Sequence, residues 1–371
     1  MSKELVIYQR IKDFEYEKNK VFDGMTSLII YENYGSCDTF ELDLPELENS
    51  VDLFAQNNGF KFDGVYYYVD DYDGTEGKIK VCGKSLGGKY DSRTVDRIYT
   101  ASKSPALIVW DHFNQEMINP PDYQDALGTY SGKNRKLDYL SLAPADDLGL
   151  AKIDYQDSYD YVSTQVESLC QTYDFGFREV GDKHTFSNQI QIYRGNDVSS
   201  WVKFSDDVDG YENLTSTEFE HTTFDEKTSA HVFGEGDGAN RVKVIVNPNL
   251  AGLERKELAV DARDLQSTDT NGATIPATTY RNMLIERGKQ KLADQQEVLT
   301  LNGEFILTSK LVKFGRDFFV GDRVKLESKR YGVSKVATIT QAKHTYDATG
   351  EHIELNYDHD TPTVFEFLGR K

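Results

Sequence analysis

The chain opens on short runs in which apolar and polar positions alternate: Leu5 to Tyr8, Ser27 to Tyr31, Thr39 to Leu44, Val65 to Val69 and Lys78 to Lys84. A period of two sends successive side chains to opposite faces, the pattern of a strand with one face buried. The last two runs are joined through Asp73-Gly74, a dipeptide suited to a tight hairpin turn. Five or more such strands predict a barrel-like domain over residues 1–99 that closes on itself and hides its edges.

The period then changes. Ser104 is placed to cap a helix with Pro105 at its first position, and Ala106, Val109, Phe113 and Met117 then share one face. A second helix is predicted from near Ser158, where Val162, Val166, Leu169, Cys170 and Tyr173 recur at three or four residues. That stripe reads as core, Cys170 included, and the two helices make 100–185 a helical or mixed domain. Strands return at Gln189 to Tyr193 and Val242 to Val246, and a third helix is predicted over about 279–296, after Pro276. This gives a mixed α/β domain over 186–297. A second barrel-like domain over 298–371 is built from Val298 to Leu301, Glu304 to Leu307, Arg323 to Glu327, Val336 to His344 and His352 to Tyr357. With β-rich segments at both ends and no regular repeat, the fold class is α+β, β-rich and multidomain.

Composition narrows the function. The 62 acidic against 42 basic residues give a formal charge of -20, which repels phosphate backbones and anionic lipid and argues against nucleic acid or a membrane surface as a direct partner. No window approaches the roughly 20 apolar residues of a membrane span, so membrane insertion is not expected. Tyr and Phe are abundant at 23 and 20 and Pro is scarce at 8, which favours an ordered chain. Cys37, Cys82 and Cys170 are odd in number and far apart, neither a disulfide framework nor a zinc site.

Candidate chemistry is sparse. The histidines at 112, 184, 221, 231, 344, 352 and 359 show no HExxH or HxxxH spacing, and no cofactor is expected. Asp70, Asp71, Asp73 and Glu76 crowd the expected hairpin tip and are candidate calcium ligands, although EF-hand spacing is missing and a solvated acidic turn is the plainer reading. Gly234, Gly236 and Gly238 imitate a phosphate-binding loop. Arg241, however, leads into the strand-like Val242 to Val246 rather than a helix, and Glu235 and Asp237 would repel phosphate. These glycines are expected to serve a strand-to-strand connection.

The same segment carries a family likeness. Gly234 to Arg241, then Leu253 to Leu258 with Arg255, then Val260 to Leu265 with Asp261 and Arg263, resemble the central signature of the siphophage tail-associated (Tal) baseplate hub family, including that of lactococcal-type phages. Arg287-Gly288 in the third helix continues the order, as does Phe314 to Val324 with Gly315, Asp317, Gly321 and Asp322. Tyr331 to Val333, Ala337 to Thr340 and Tyr346 to Gly350 complete it, with weaker matches near Leu5, Phe40 and Val81. Two departures stand out: 200–229 fits poorly, and the chain ends at Lys371 without the fibre or cell-wall hydrolase that many relatives carry.

The resemblance implies a fold similar to the baseplate hub of contractile-tailed phages, with two barrel-like tube domains and two inserted mixed domains. It further implies a non-enzymatic virion protein at the tail tip, assembled in the host cytoplasm: a homotrimer that docks on the hexameric distal tail protein. Such a hub would close the tail tube and open for genome ejection into a Gram-positive host. Receptor-binding proteins and the tape measure protein are the further partners, and phage DNA would meet it only in passage along a negative lumen. In that scheme Leu5 to Lys84 with Val298 to Tyr357 forms the wall. Ser104 to Thr279, with a movable loop at Asp206 to Gly210, forms the plug. The alternatives are a tail-tip glycan hydrolase and a saccharide receptor binder using Trp201 or Trp110.

Overall fold

The computed structural model describes residues 4–46, 50–269, 272–307 and 311–357; the last residues of the expected C-terminal domain, 358–371, lie outside them. The chain divides into two compact units. One comprises Met1–Ser85, Arg194–Thr222 and Val298–Lys371, the other Leu86–Tyr193 and Thr223–Glu297.

The first unit is a single 13-stranded sheet. From one edge the strands run Leu214–Thr222, Val298–Phe305, Gly350–Tyr357, Val333–Asp347, Ser27–Asn33, Thr39–Pro45, Lys78–Ser85, Val65–Thr75, Gly59–Phe62, Leu5–Lys12 and Glu15–Phe22. Arg323–Ser328 branches from Val333–Asp347 and carries Lys203–Phe204 beside it. The two ends of the chain meet where Ser27–Asn33 pairs antiparallel with Val333–Asp347. Alternation is followed closely: Leu28, Ile30, Phe40, Leu42 and Leu44 are buried while their neighbours are not. Phe60 stacks on Tyr67 at 5.3 Å and meets the edge of Phe40 at 4.7 Å. Burying each such side chain contributes about 1.5–3 kcal/mol.

Four expectations are corrected here. The hairpin turns at Glu76-Gly77, not at Asp73-Gly74, since Thr75 pairs with Lys78 and Gly74 pairs with Ile79 inside the ladder. Gly77, at φ 83°, supplies the positive angle the turn needs. Val298 to Leu301 runs on without a break through Glu304 as one strand, Val298–Phe305, and Ile306 and Leu307 lie beyond its end; at Gly303 the backbone of Thr215 comes close. The N-terminal strands do not hide every edge: among the described residues Glu15–Phe22 pairs only with Leu5–Lys12. The loop Asp206 to Gly210 is anchored rather than free, for the Asp207 carboxylate accepts the N–H groups of Lys329 at 2.9 Å and Arg330 at 2.6 Å.

The second unit is mixed. Ser104 caps the helix Pro105–Phe113, its side chain accepting the Leu107 N–H at 3.3 Å. Ala106, Val109, Phe113 and Met117 are fully buried, as their spacing requires. Val162–Tyr173 is the second helix and buries Val162, Val166, Leu169 and Cys170. Ala277–Ala293 is the third, packed on a three-stranded sheet of Lys243–Val246, Ser229–Phe233 and Glu257–Asp261. Gly288 sets how closely that helix approaches: a Cβ there would lie 2.6 Å from Val246 Cγ2 and 2.7 Å from Val232 Cγ2. Among the described residues no helix is long and apolar enough to cross a membrane.

Candidate functional site

The signature residues gather at two turns. The first links Ser229–Phe233 to Lys243–Val246 as an antiparallel hairpin, with Phe233 opposite Lys243. Gly236 (φ 102°) and Gly238 (φ 55°) take positive angles, and a Cβ on Gly236 would lie 2.8 Å from the Asn240 carbonyl oxygen. Gly234 has another use, because a Cβ there would lie 2.7 Å from the Tyr280 hydroxyl on the third helix. That hydroxyl accepts the Glu235 N–H at 2.8 Å and donates to the Leu265 carbonyl at 3.0 Å, fixing the turn to the helix.

Arg241 closes the turn. Its guanidinium donates to the carbonyls of Gly234 at 2.8 Å and Phe233 at 2.7 Å and pairs with Asp261 on the neighbouring parallel strand. Asp261 also receives Arg263, and these two arginines, Arg263 foremost, hold its carboxyl down at about 2. Arg255 is a second clamp, donating to Glu257 at 2.6 Å and to the carbonyls of Pro248 at 3.0 Å and Leu250 at 3.1 Å. The hydrogen bonds of Arg241 and Arg255 go to the chain's own carbonyls and carboxylates and, from Arg255, to His231 at 3.1 Å, the arrangement of a brace.

The second turn lies in the other unit. Gly315, at φ 76°, donates to the Phe318 carbonyl at 3.0 Å, and the Asp317 carboxylate accepts the Lys313 N–H at 2.8 Å. Gly321, at φ 92°, lies against the ring of Tyr34. The buried carboxylate of Asp322 accepts the N–H groups of Asn196 and Phe319, at 2.7 and 2.9 Å. Gly195 follows the same logic, since a Cβ there would lie 1.8 Å from the Gly321 carbonyl oxygen.

The acidic hairpin does not assemble a cation site. Asp71 lies opposite Cys82 and Asp73 opposite Lys80 along an exposed ribbon. Among the described residues no three His, Cys, Asp or Glu side chains are grouped as metal ligands.

One buried polar cluster escaped the sequence. In the second unit His112 and Asp157, both side chains fully buried, approach at 3.1 Å, and Tyr155 donates to Asp157 at 3.1 Å or to Gln165 at 2.8 Å. Beside them Tyr99 donates to Asp111 at 2.6 Å; burial and that carboxylate push its phenol well up. Glu116 is equally buried between Arg97 and Arg135, each at 2.7 Å, and burial pushes it up more than the two guanidiniums bring it down. Nothing in the sequence pattern marks this cluster, because Asp111, His112 and Glu116 are interleaved with the apolar stripe of the same helical segment. An open groove of about 630 Å³, lined by polar side chains such as Gln9, Arg10, Gln56 and Asn58, is separate from all of these groups.

Both units together have the fold of phage tail proteins. The 43 kDa tail protein of prophage MuSo2 from Shewanella oneidensis matches with a TM-score of 0.56 at 12% identity, covering 96% of this chain and 98% of that one. Prophage tail protein gp18 from Listeria monocytogenes EGD-e matches with a TM-score of 0.55 at 11% identity, covering 99% and 97%. The tail protein from Neisseria meningitidis MC58 gives 0.54 at 13% identity, with 97% of both chains covered. No curated protein matches the sequence. The chain belongs to the siphovirus ReqiPepy6 Gp37-like protein family, whose model matches residues 8–356. The expectation of a siphophage protein with a β-rich fold similar to that of phage tail proteins is thereby met.

Proposed function

We propose that this protein is a structural subunit of a siphophage tail tip, a homotrimeric hub that docks on the hexameric distal tail protein and closes the tail tube until genome ejection. The observation that carries this reading is the end-to-end match, over residues 8–356, to a siphovirus family, on a fold shared with phage tail proteins over nearly their whole length. The signature residues support a non-enzymatic role, because Arg241, Arg255, Asp261 and Asp322 are engaged in holding turns. In this reading the first unit, now including 194–222, supplies the wall, and the second unit supplies the closing element. Receptor-binding proteins and the tape measure protein are its further neighbours in the virion, and DNA passes an acidic lumen without adhering.

Light scattering on the full chain, alone and with the distal tail protein, tests it. A mass near three times 42.2 kDa is expected. A monomer at micromolar concentration, unchanged by the partner, overturns the reading.

A further inference from the structure

The second unit has two lobes, residues 86–193 and 223–297, which the chain joins only by way of the first unit. The lobe 223–297 has a core of its own: Ala230, Val232, Val244, Val260, Met283 and Leu284 pack together with no residue of the other lobe among them. Its helix Ala277–Ala293 is buried on two sides. Met283 and Leu284 face that core, whereas Glu286, Gln290 and Ala293, spaced four and three apart, form a second buried face. A helix at a protein surface keeps its polar side in water. Here the polar side lies against the lobe 86–193.

The hydrogen bonds that cross this boundary are made by side chains. Tyr173 donates to the Glu286 carboxylate, Gln171 Nε2 to the Ala293 carbonyl at 3.0 Å, and Asn282 Nδ2 to Asp154 at 2.8 Å. The Gln156 amide pairs with the backbone of Gln266, accepting its N–H at 2.6 Å and donating to its carbonyl at 3.2 Å. Among the described residues no backbone–backbone hydrogen bond runs from one lobe to the other. The buried Gln290 Nε2 has no hydrogen-bond partner among them either. Parting the lobes exchanges side-chain bonds for bonds to water, hydrates the Glu286 carboxylate and the Gln290 amide, and leaves the core of 223–297 closed. Polar boundaries of this character are those along which domains move.

We infer that the second unit opens reversibly along this seam, the lobe 223–297 moving as a body on the polar face of Ala277–Ala293 while both lobes stay folded. The inference stands on the second unit alone. To the reading above it adds a moving joint inside the closing element.

Thiol labelling of the full-length chain under native conditions tests it. Ala293→Cys puts a thiol in the second buried face, where the wild-type residue is 6% exposed, and Val232→Cys puts one in the core of the lobe. Peptide mass spectrometry separates each from Cys37, Cys82 and Cys170. With iodoacetamide, Ala293→Cys should react more slowly than free cysteine, at a rate that changes little with added urea, because opening a seam exposes little surface. Val232→Cys should instead follow the steep urea dependence of unfolding. Gln156→Ala, which removes both bonds to Gln266, should speed labelling of Ala293→Cys about tenfold without steepening its urea dependence. Gln290→Cys repeats the measurement on the same face if circular dichroism shows that Ala293→Cys misfolds. Seam thiols that label only with the full urea dependence of unfolding overturn the inference, as does a Gln156→Ala variant that labels no faster; both leave the oligomeric reading standing. A monomer in light scattering overturns that reading and leaves the seam.

Discussion

The carboxylate of Asp322 accepts the backbone N–H of Asn196 at 2.7 Å, tying residues 126 positions apart into one ladder. Around this bond the Arg323 N–H donates to the Asn196 carbonyl at 2.8 Å and the Val198 N–H to the Arg323 carbonyl at 2.9 Å. Asp322 is therefore the stitch that holds 194–198 beside the strand Arg323–Ser328.

Removing that stitch leaves two backbone donors without their acceptor. Asp322→Ala is expected to destabilise the chain by about 2–3 kcal/mol, the range for buried charge-assisted hydrogen bonds. Urea unfolding should show a lower midpoint. A midpoint unchanged within error would show that water replaces the carboxylate at no cost.

The two glycines of the signature turn should differ in tolerance. At Gly236 a side chain is both strained and obstructed, with Asn240 O 2.8 Å from the Cβ position, whereas at Gly238 the Cβ position has nothing within 4 Å. Gly238→Ala should cost about 1 kcal/mol, from the positive φ alone. Gly236→Val should cost several times more and lower the soluble yield. Equal thermal shifts for the two variants would contradict this account.

Asp261 gives a pH signature. Its folded carboxyl is held at about 2, below the ordinary value near 3.9. The contribution to stability is therefore present above pH 4 and lost as the pH falls through about 2. Carboxyl chemical shifts followed by NMR titration should give this depressed value. Arg263→Ala should move it upward, toward the ordinary carboxylate range.

His352 works in the opposite sense. Its Nδ1 lies 2.6 Å from Glu304 Oε1, and that hydrogen bond, with the nearby carboxylates, raises its pKa above 6.5. The stabilisation is complete below pH 6.5 and is lost as the pH rises through the folded value. Imidazole proton shifts should titrate late in the wild type. In Glu304→Gln the titration should fall to lower pH; no change would mean that Glu304 is not the cause.

Local order was plain in the sequence. Ser104-Pro105 announced a capped helix, the stripe from Val162 to Cys170 announced a buried face, and the glycines before Arg241 announced a strand-to-strand turn rather than a phosphate loop. These depend on capping, periodicity and permitted φ within about ten residues, which the chain writes locally. The order of the weak motifs from Leu5 to Gly350 also pointed to the family.

Partnership was decided by the tertiary structure. Alternation says which side chains of a strand face inward but not which strand lies beside it. Hence the sequence pattern groups 194–222 with the middle of the chain, although Leu214–Thr222 pairs with Val298–Phe305 and Asp207 caps the turn at Arg330. The hairpin tip lies at Glu76-Gly77 rather than at Asp73-Gly74 because the ladder with Lys78–Ser85 fixes the register over eight residue pairs. His112 and Asp157, 45 positions apart, met only because the helix Pro105–Phe113 packs where Ile153–Ser158 pairs with Ile98–Lys103. Contacts of this kind join residues that carry no mark of each other in the sequence, and packing alone brings them together.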